Sequence, residues 1–85
     1  MKTTWNELLT EARELAKDQT AIVAVAPEGV DLNKRFDNGY GGEEGEPFCA
    51  WSETHIYFPI CYDGSEWVGA APRNPCDYGL GHQGG

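Results

Sequence analysis

Eighty-five residues make one domain, spanning 1–85, that hides only about 60–65 % of its unfolded surface. A 40 % hydrophobic fraction, with three Trp, four Tyr and three Phe, excludes a disordered chain. Fourteen acids against six bases leave a formal charge of −8, which disfavours direct contact with nucleic acid or anionic membranes and favours basic partner surfaces.

No apolar leader follows the opening MKTTW, and no run reaches the ~20 apolar residues of a membrane span, so the expected location is the cytoplasm. Cys49, Cys61 and Cys76 are odd in number and widely spaced, which predicts reduced thiols rather than a disulfide scaffold.

The first predicted element is an amphipathic helix over about residues 4–17. Thr4 and Glu7 fit a capping box, and Trp5, Leu8, Leu9, Ala12, Leu15 and Ala16 recur at helical spacing as one apolar stripe. Glu7, Glu11, Glu14 and Asp18 fall opposite that stripe as an acidic ridge, moderated by Arg13 and Lys17. Residues 21–26 form a short β-branched run, stopped by Pro27, that suits a buried strand.

Residues 27–47 read as a long acidic, Gly-rich loop, and loops of that length are usually functional or disordered. Strands follow over about 48–52, 56–62 and 67–71. Asp63-Gly64 between apolar runs predicts a hairpin, and Pro59 predicts an edge position or a bulge. Residues 72–85 read as an irregular tail. The expected fold is α+β, with the helix packed on an antiparallel sheet of about four strands.

The motifs for chemistry are weak. Cys49, His55, Cys61, Cys76 and His82 lack the two-to-four-residue spacing of paired zinc ligands, so neither a metal nor another cofactor is expected. A Cys76–His55 or Cys76–His82 arrangement with Asp77 has no oxyanion-hole signature, so no enzyme is expected. The glycines at 39–42 lack the Gly-Lys-Ser/Thr of a phosphate loop and precede Glu43 and Glu44. A terminal Gly84-Gly85 matches the ending of sulfur carriers and ubiquitin-like modifiers, and that class and a small zinc domain stand as the alternatives.

The acids make the main candidate site. Glu11, Glu14 and Asp18 on the helix and Asp37, Glu43, Glu44 and Glu46 in the loop are the candidate partner-binding residues, with Tyr40 as an anchor. Glu53, Asp63 and Glu66 add charge at strand turns, and Trp67 beside Glu66 reads as a second exposed ring. Helix carboxylates about 5–6 Å apart are sparser than duplex phosphates but of the same order.

In size, acidity and absence of enzyme motifs the chain resembles the small phage-encoded anti-CRISPR proteins that act as DNA mimics. The resemblance covers overall character, and no residue's role comes from it. It implies a stoichiometric inhibitor, a monomer or weak dimer in the host bacterial cytoplasm. Its partner would be a basic nucleic-acid-binding protein, a CRISPR effector subunit first of all.

Overall fold

The computed structural model describes residues 2–37, 39, 44–77 and 79–82. Its helix α1 spans Trp5–Leu15, starting where the sequence places the cap. Thr4 is extended, and its Oγ1 accepts the Glu7 N–H at 3.2 Å, satisfying one of the amides a helix start leaves open. The Glu7 carboxylate instead takes the Thr3 hydroxyl, at 2.8 Å. The Asn6 N–H goes to the Leu32 carbonyl, which ties the following loop to the helix start.

The helix ends two residues earlier than expected. Lys17 has a positive φ of 56°. Its N–H donates to the Glu14 carbonyl at 3.1 Å, while the Asp18 N–H reaches the Arg13 carbonyl at 2.9 Å. That bond pair is a Schellman motif with lysine where glycine usually sits. The apolar stripe therefore stops at Ala12: Trp5, Leu8, Leu9 and Ala12 are buried, Ala16 is half-buried, and Leu15 is 86 % exposed.

The strands are β1 (Lys2–Thr3), β2 (Ile22–Ala26), β3 (Phe36–Asp37), β4 (Cys49–Ser52), β5 (His55–Tyr62) and β6 (Ser65–Pro72). An antiparallel four-stranded sheet runs in the order β2-β4-β5-β6, so the α+β layer pair stands as expected. β1 and β3 form a small second sheet, with Thr3 paired to Phe36 and Lys2 to Asp37. Two-residue strands carry no periodicity, which is why the sequence does not show them.

The β5–β6 hairpin turns through Asp63 and Gly64, with φ of 51° and 83°. Positive φ at both positions is the type I′ turn that Asp-Gly predicts. Pairing of β5 with β4 is confined to Tyr57 with Ala50 and Ile56 with Trp51. Pro59 lies beyond it, so β5 tolerates a residue without an amide donor although it is an inner strand.

The core lies between α1 and one sheet face. Trp5, Leu8, Leu9 and Ala12 meet Ala50, Tyr57 and Val68, with Phe36 and Phe48 closing the end near the helix start. Trp5 is 2 % exposed and stacks obliquely on both rings, centroids 4.6 Å from Phe36 and 4.9 Å from Phe48.

One strand differs from expectation. β2 is an edge strand, not a buried one: Val23 is 56 % exposed and Val25 39 %. A short apolar run reads the same whether one edge or both are covered.

Candidate interaction surface

The six candidate residues that are described do not form one cluster. Tyr40 and Glu43 lie outside the described residues. Glu11 and Glu14 are exposed on the outer face of α1, as the helical spacing requires. Asp37 is half-buried on β3, and its Oδ1 accepts the Gly39 N–H at 3.1 Å.

Glu44 and Glu46 are exposed, but the backbone carrying them is fixed. The buried Glu66 carboxylate accepts the Glu44 N–H at 2.8 Å and the Gly45 N–H at 3.0 Å. Trp5 Nε1 donates to the Glu46 carbonyl at 2.9 Å. Gly45 lies on the Trp5 ring so closely that a Cβ there would sit 2.3 Å from Cζ2. This end of the loop is therefore packed against the core. The Glu46 carboxylate meets Lys34 Nζ at 3.3 Å, which removes part of its field.

Glu66 itself corrects the reading that placed it among the exposed acids. It points with Val68 and Ala70 to the side of β6 that faces the core, and Trp67 beside it is half-buried. Two-residue parity along β6 is the sequence signal that reveals this.

Asp18 is the larger correction. It is 8 % exposed and lies past the helix end, so it is not part of the acidic ridge. Its Oδ1 accepts the Thr20 N–H at 2.9 Å, the Thr20 hydroxyl at 2.6 Å and the Thr54 hydroxyl at 3.3 Å. The fully buried Tyr57 hydroxyl donates to Oδ2, and His55 Nδ1 stands 3.8 Å from the same oxygen.

Burial pushes the Asp18 carboxyl up, but the hydrogen bonds from Ser52, Thr20 and Tyr57 outweigh it and hold the group well below the usual carboxylate range. Tyr57 is driven the other way, above the usual phenol range, by burial and by its bond to Asp18. The sequence cue was present: Asp18 two residues ahead of Thr20, just past a helix, is an Asx-turn pattern.

These positions leave two groups of outward carboxylates. The Glu46 backbone adjoins Trp5 at the helix start, whereas Glu11 and Glu14 lie about 9 and 13 Å farther along the axis at 1.5 Å per residue. Glu7, exposed, stands between them.

The remaining motifs yield little. Cys49 is half-buried, Cys61 and Cys76 are exposed, and all three are free thiols. Among the described residues no three His, Cys, Asp or Glu side chains converge as a metal site, and no helix is long and apolar enough to cross a membrane. Gly84 and Gly85 lie outside the described residues. In comparisons with known proteins, no family model, curated protein or solved structure matches the chain.

Proposed function

We propose that this chain is a non-catalytic acidic inhibitor. It occupies the DNA-binding groove of a basic nucleic-acid-binding protein, with a CRISPR surveillance complex or another nuclease of the host cytoplasm as the target. The observation that carries the reading is the exposed line of Glu7, Glu11 and Glu14 on a helix whose opposite face is locked into the core. Helix positions three and four apart set their Cβ atoms about 5–6 Å apart, a spacing of the same order as the phosphates that a groove lined by Lys and Arg accepts. Glu44 and Glu46 form a second exposed acidic pair, on a backbone held by Glu66 and Trp5. The formal charge of −8 supplies long-range attraction to such a groove.

The test is capture from a bacterial lysate, followed by competition with duplex DNA at low and at physiological salt. The partner should be a nucleic-acid-binding protein, DNA should displace the inhibitor, and Glu11→Lys with Glu14→Lys should slow association severalfold and flatten its salt dependence. Unchanged inhibition by that double variant would remove the helix face from the proposal. A partner without a nucleic-acid site would overturn the reading.

A further inference from the structure

We propose that His55 and Cys76 form a base–thiol pair, which makes Cys76 the selectively reactive cysteine of this chain and the site where it takes a small disulfide. This inference does not depend on the function proposed above, because it concerns one stoichiometric modification and no turnover. The ring is poised by the buried cluster behind it. Asp18 is held in its ionised form, and a carboxylate only accepts hydrogen bonds. The Thr54 hydroxyl, 3.3 Å from Asp18 Oδ1, therefore directs its single proton there. Its oxygen also stands 2.8 Å from His55 Nδ1, so it accepts at that contact, and in the neutral ring Nδ1 carries the hydrogen. Asp18 Oδ2, 3.8 Å from Nδ1, favours the same tautomer. Nε2 keeps its lone pair. The imidazole side chain is 15 % exposed and stacks on Tyr57, and its Nδ1 edge faces Thr54 and Asp18, so the Nε2 edge is the one left for a ligand.

Cys76 shares a cavity of about 250 Å³ with His55, and Thr54, Pro72, Asn74 and Pro75 complete its walls. The loop that bears the thiol is tied to the turn that bears the ring. The Arg73 N–H donates to the Thr54 carbonyl at 2.9 Å, and Arg73 Nη1 donates to the Ser52 carbonyl at 2.8 Å. Cys61 is equally a free, exposed thiol. It lines a different cavity, with Gly45, Pro47, Pro59, Ile60 and Glu66, and no histidine belongs to that wall among the described residues. Cys61 is therefore an internal reference for an unassisted thiol.

The exposed Asp77 beside Cys76 disfavours a standing thiolate, so the proton leaves as the sulfur attacks. Nε2 takes that proton, directly or through one water, while the Cys76 sulfur bonds to one sulfur of the disulfide and the old S–S bond breaks. The departing thiolate recovers the proton from the imidazolium. Cys76 is oxidised to a mixed disulfide and the departing thiol is reduced, with no other reactant. The formal charge of −8 favours neutral or cationic disulfides over anionic ones.

The test treats the folded chain with the neutral chromogenic disulfide dithiodipyridine and assigns the labelled cysteines by peptide mass spectrometry. Cys76 should react about tenfold or more faster than Cys61, and the two rates should converge in urea, where the pair is dispersed. His55→Asn keeps a donor in the place of Nδ1 but has no atom at Nε2. In that variant the Cys76 rate should fall toward that of Cys61, while an unchanged Cys61 rate shows that the fold is intact. The comparison within the native chain stands even if the variant does not fold. Three outcomes would overturn the proposal: equal rates at Cys76 and Cys61 in the folded chain, a difference that survives in urea, or a ratio that a folded His55→Asn leaves unchanged.

Discussion

A buried carboxylate lies near each end of α1, and the two closures are built differently. At the C-terminal end Asp18 belongs to the chain leaving the helix, and most of its donors are hydroxyls: Thr20 beside it, and Ser52, Thr54 and Tyr57 from the sheet and its β4–β5 turn. At the N-terminal end Glu66 belongs to the sheet, and it accepts from the backbone amides of Glu44 and Gly45 in a loop. The first joins two layers of the core, so its loss should be felt by the whole domain. The second fastens a segment to a finished core, so its loss should stay local.

The largest effect is accordingly expected at Asp18. Asp18→Ala leaves the Tyr57, Thr20 and Thr54 hydroxyls without their shared acceptor and should cost about 3 kcal/mol or more, since hydrogen bonds to a charged partner are worth about 1.5–3 kcal/mol each. For a domain this size that lowers Tm by about 12 °C or more.

The pH dependence follows from the same group. Its folded pKa is depressed, so its contribution is complete above the ordinary carboxylate range and is lost as pH falls below about 4 toward the lower folded value. Denaturation midpoints of wild type and Asp18→Asn should converge in acid. Tyr57, with its raised pKa, stabilises the fold below the ordinary phenol range and ceases to do so as pH rises beyond it, and Tyr57→Phe should abolish that alkaline loss.

At the other end, Gly45→Ala comes next. Its Cβ would lie 2.3 and 2.8 Å from two Trp5 ring atoms and 3.0 Å from Phe36 Cζ, and rings packed on each other cannot withdraw. A penalty of about 2 kcal/mol is expected. Gly69→Ala is the comparison: its Cβ meets the far end of the Ile60 side chain at 2.3 Å, which can swing, and otherwise only Phe58 Cε2 at 3.0 Å and Ile60 Cγ1 at 3.1 Å, so the penalty should be smaller. Glu66→Ala should cost about 2 kcal/mol and expose the Glu44 and Gly45 amides to exchange while the sheet amides stay protected. Global unfolding as severe as that of Asp18→Ala would erase the distinction between the two ends.

The sequence disclosed elements that have a period or a turn signature. Thr4 and Glu7 marked the helix start, and Asp63-Gly64 marked the hairpin, because each acts on atoms three or fewer residues away. It did not disclose which acids turn inward. Asp18 and Glu11 are alike in a helical projection, and only the chain reversal at Lys17 separates them. Glu66 looked like a turn residue because its amide partners lie 21 and 22 positions away. β1 and β3 needed partners more than thirty residues apart, and the exposure of β2 follows from its having, among the described residues, a strand on one side alone, which no local pattern encodes.

The smallest expected effect sits at that chain reversal and has the opposite sign. Lys17 holds a left-handed backbone, φ 56°, that costs an L-residue about 1–2 kcal/mol and glycine almost nothing. Lys17→Gly keeps both Schellman bonds, because they use only backbone amides and carbonyls. Against the relief stand the greater freedom of glycine in the unfolded chain and the loss of a cation near the helix C-terminus, the latter about 0.3 kcal/mol at an exposed site. A net gain of about 0.5 kcal/mol should appear as a higher urea midpoint with an unchanged slope. The gain should vanish in the Asp18→Ala background, where the reversal no longer positions a carboxylate for Thr20 and Tyr57. If it persists there at full size, the turn and the polar cluster are independent, and the C-terminal closure is not the cooperative unit contrasted above with the loop anchor at Glu66.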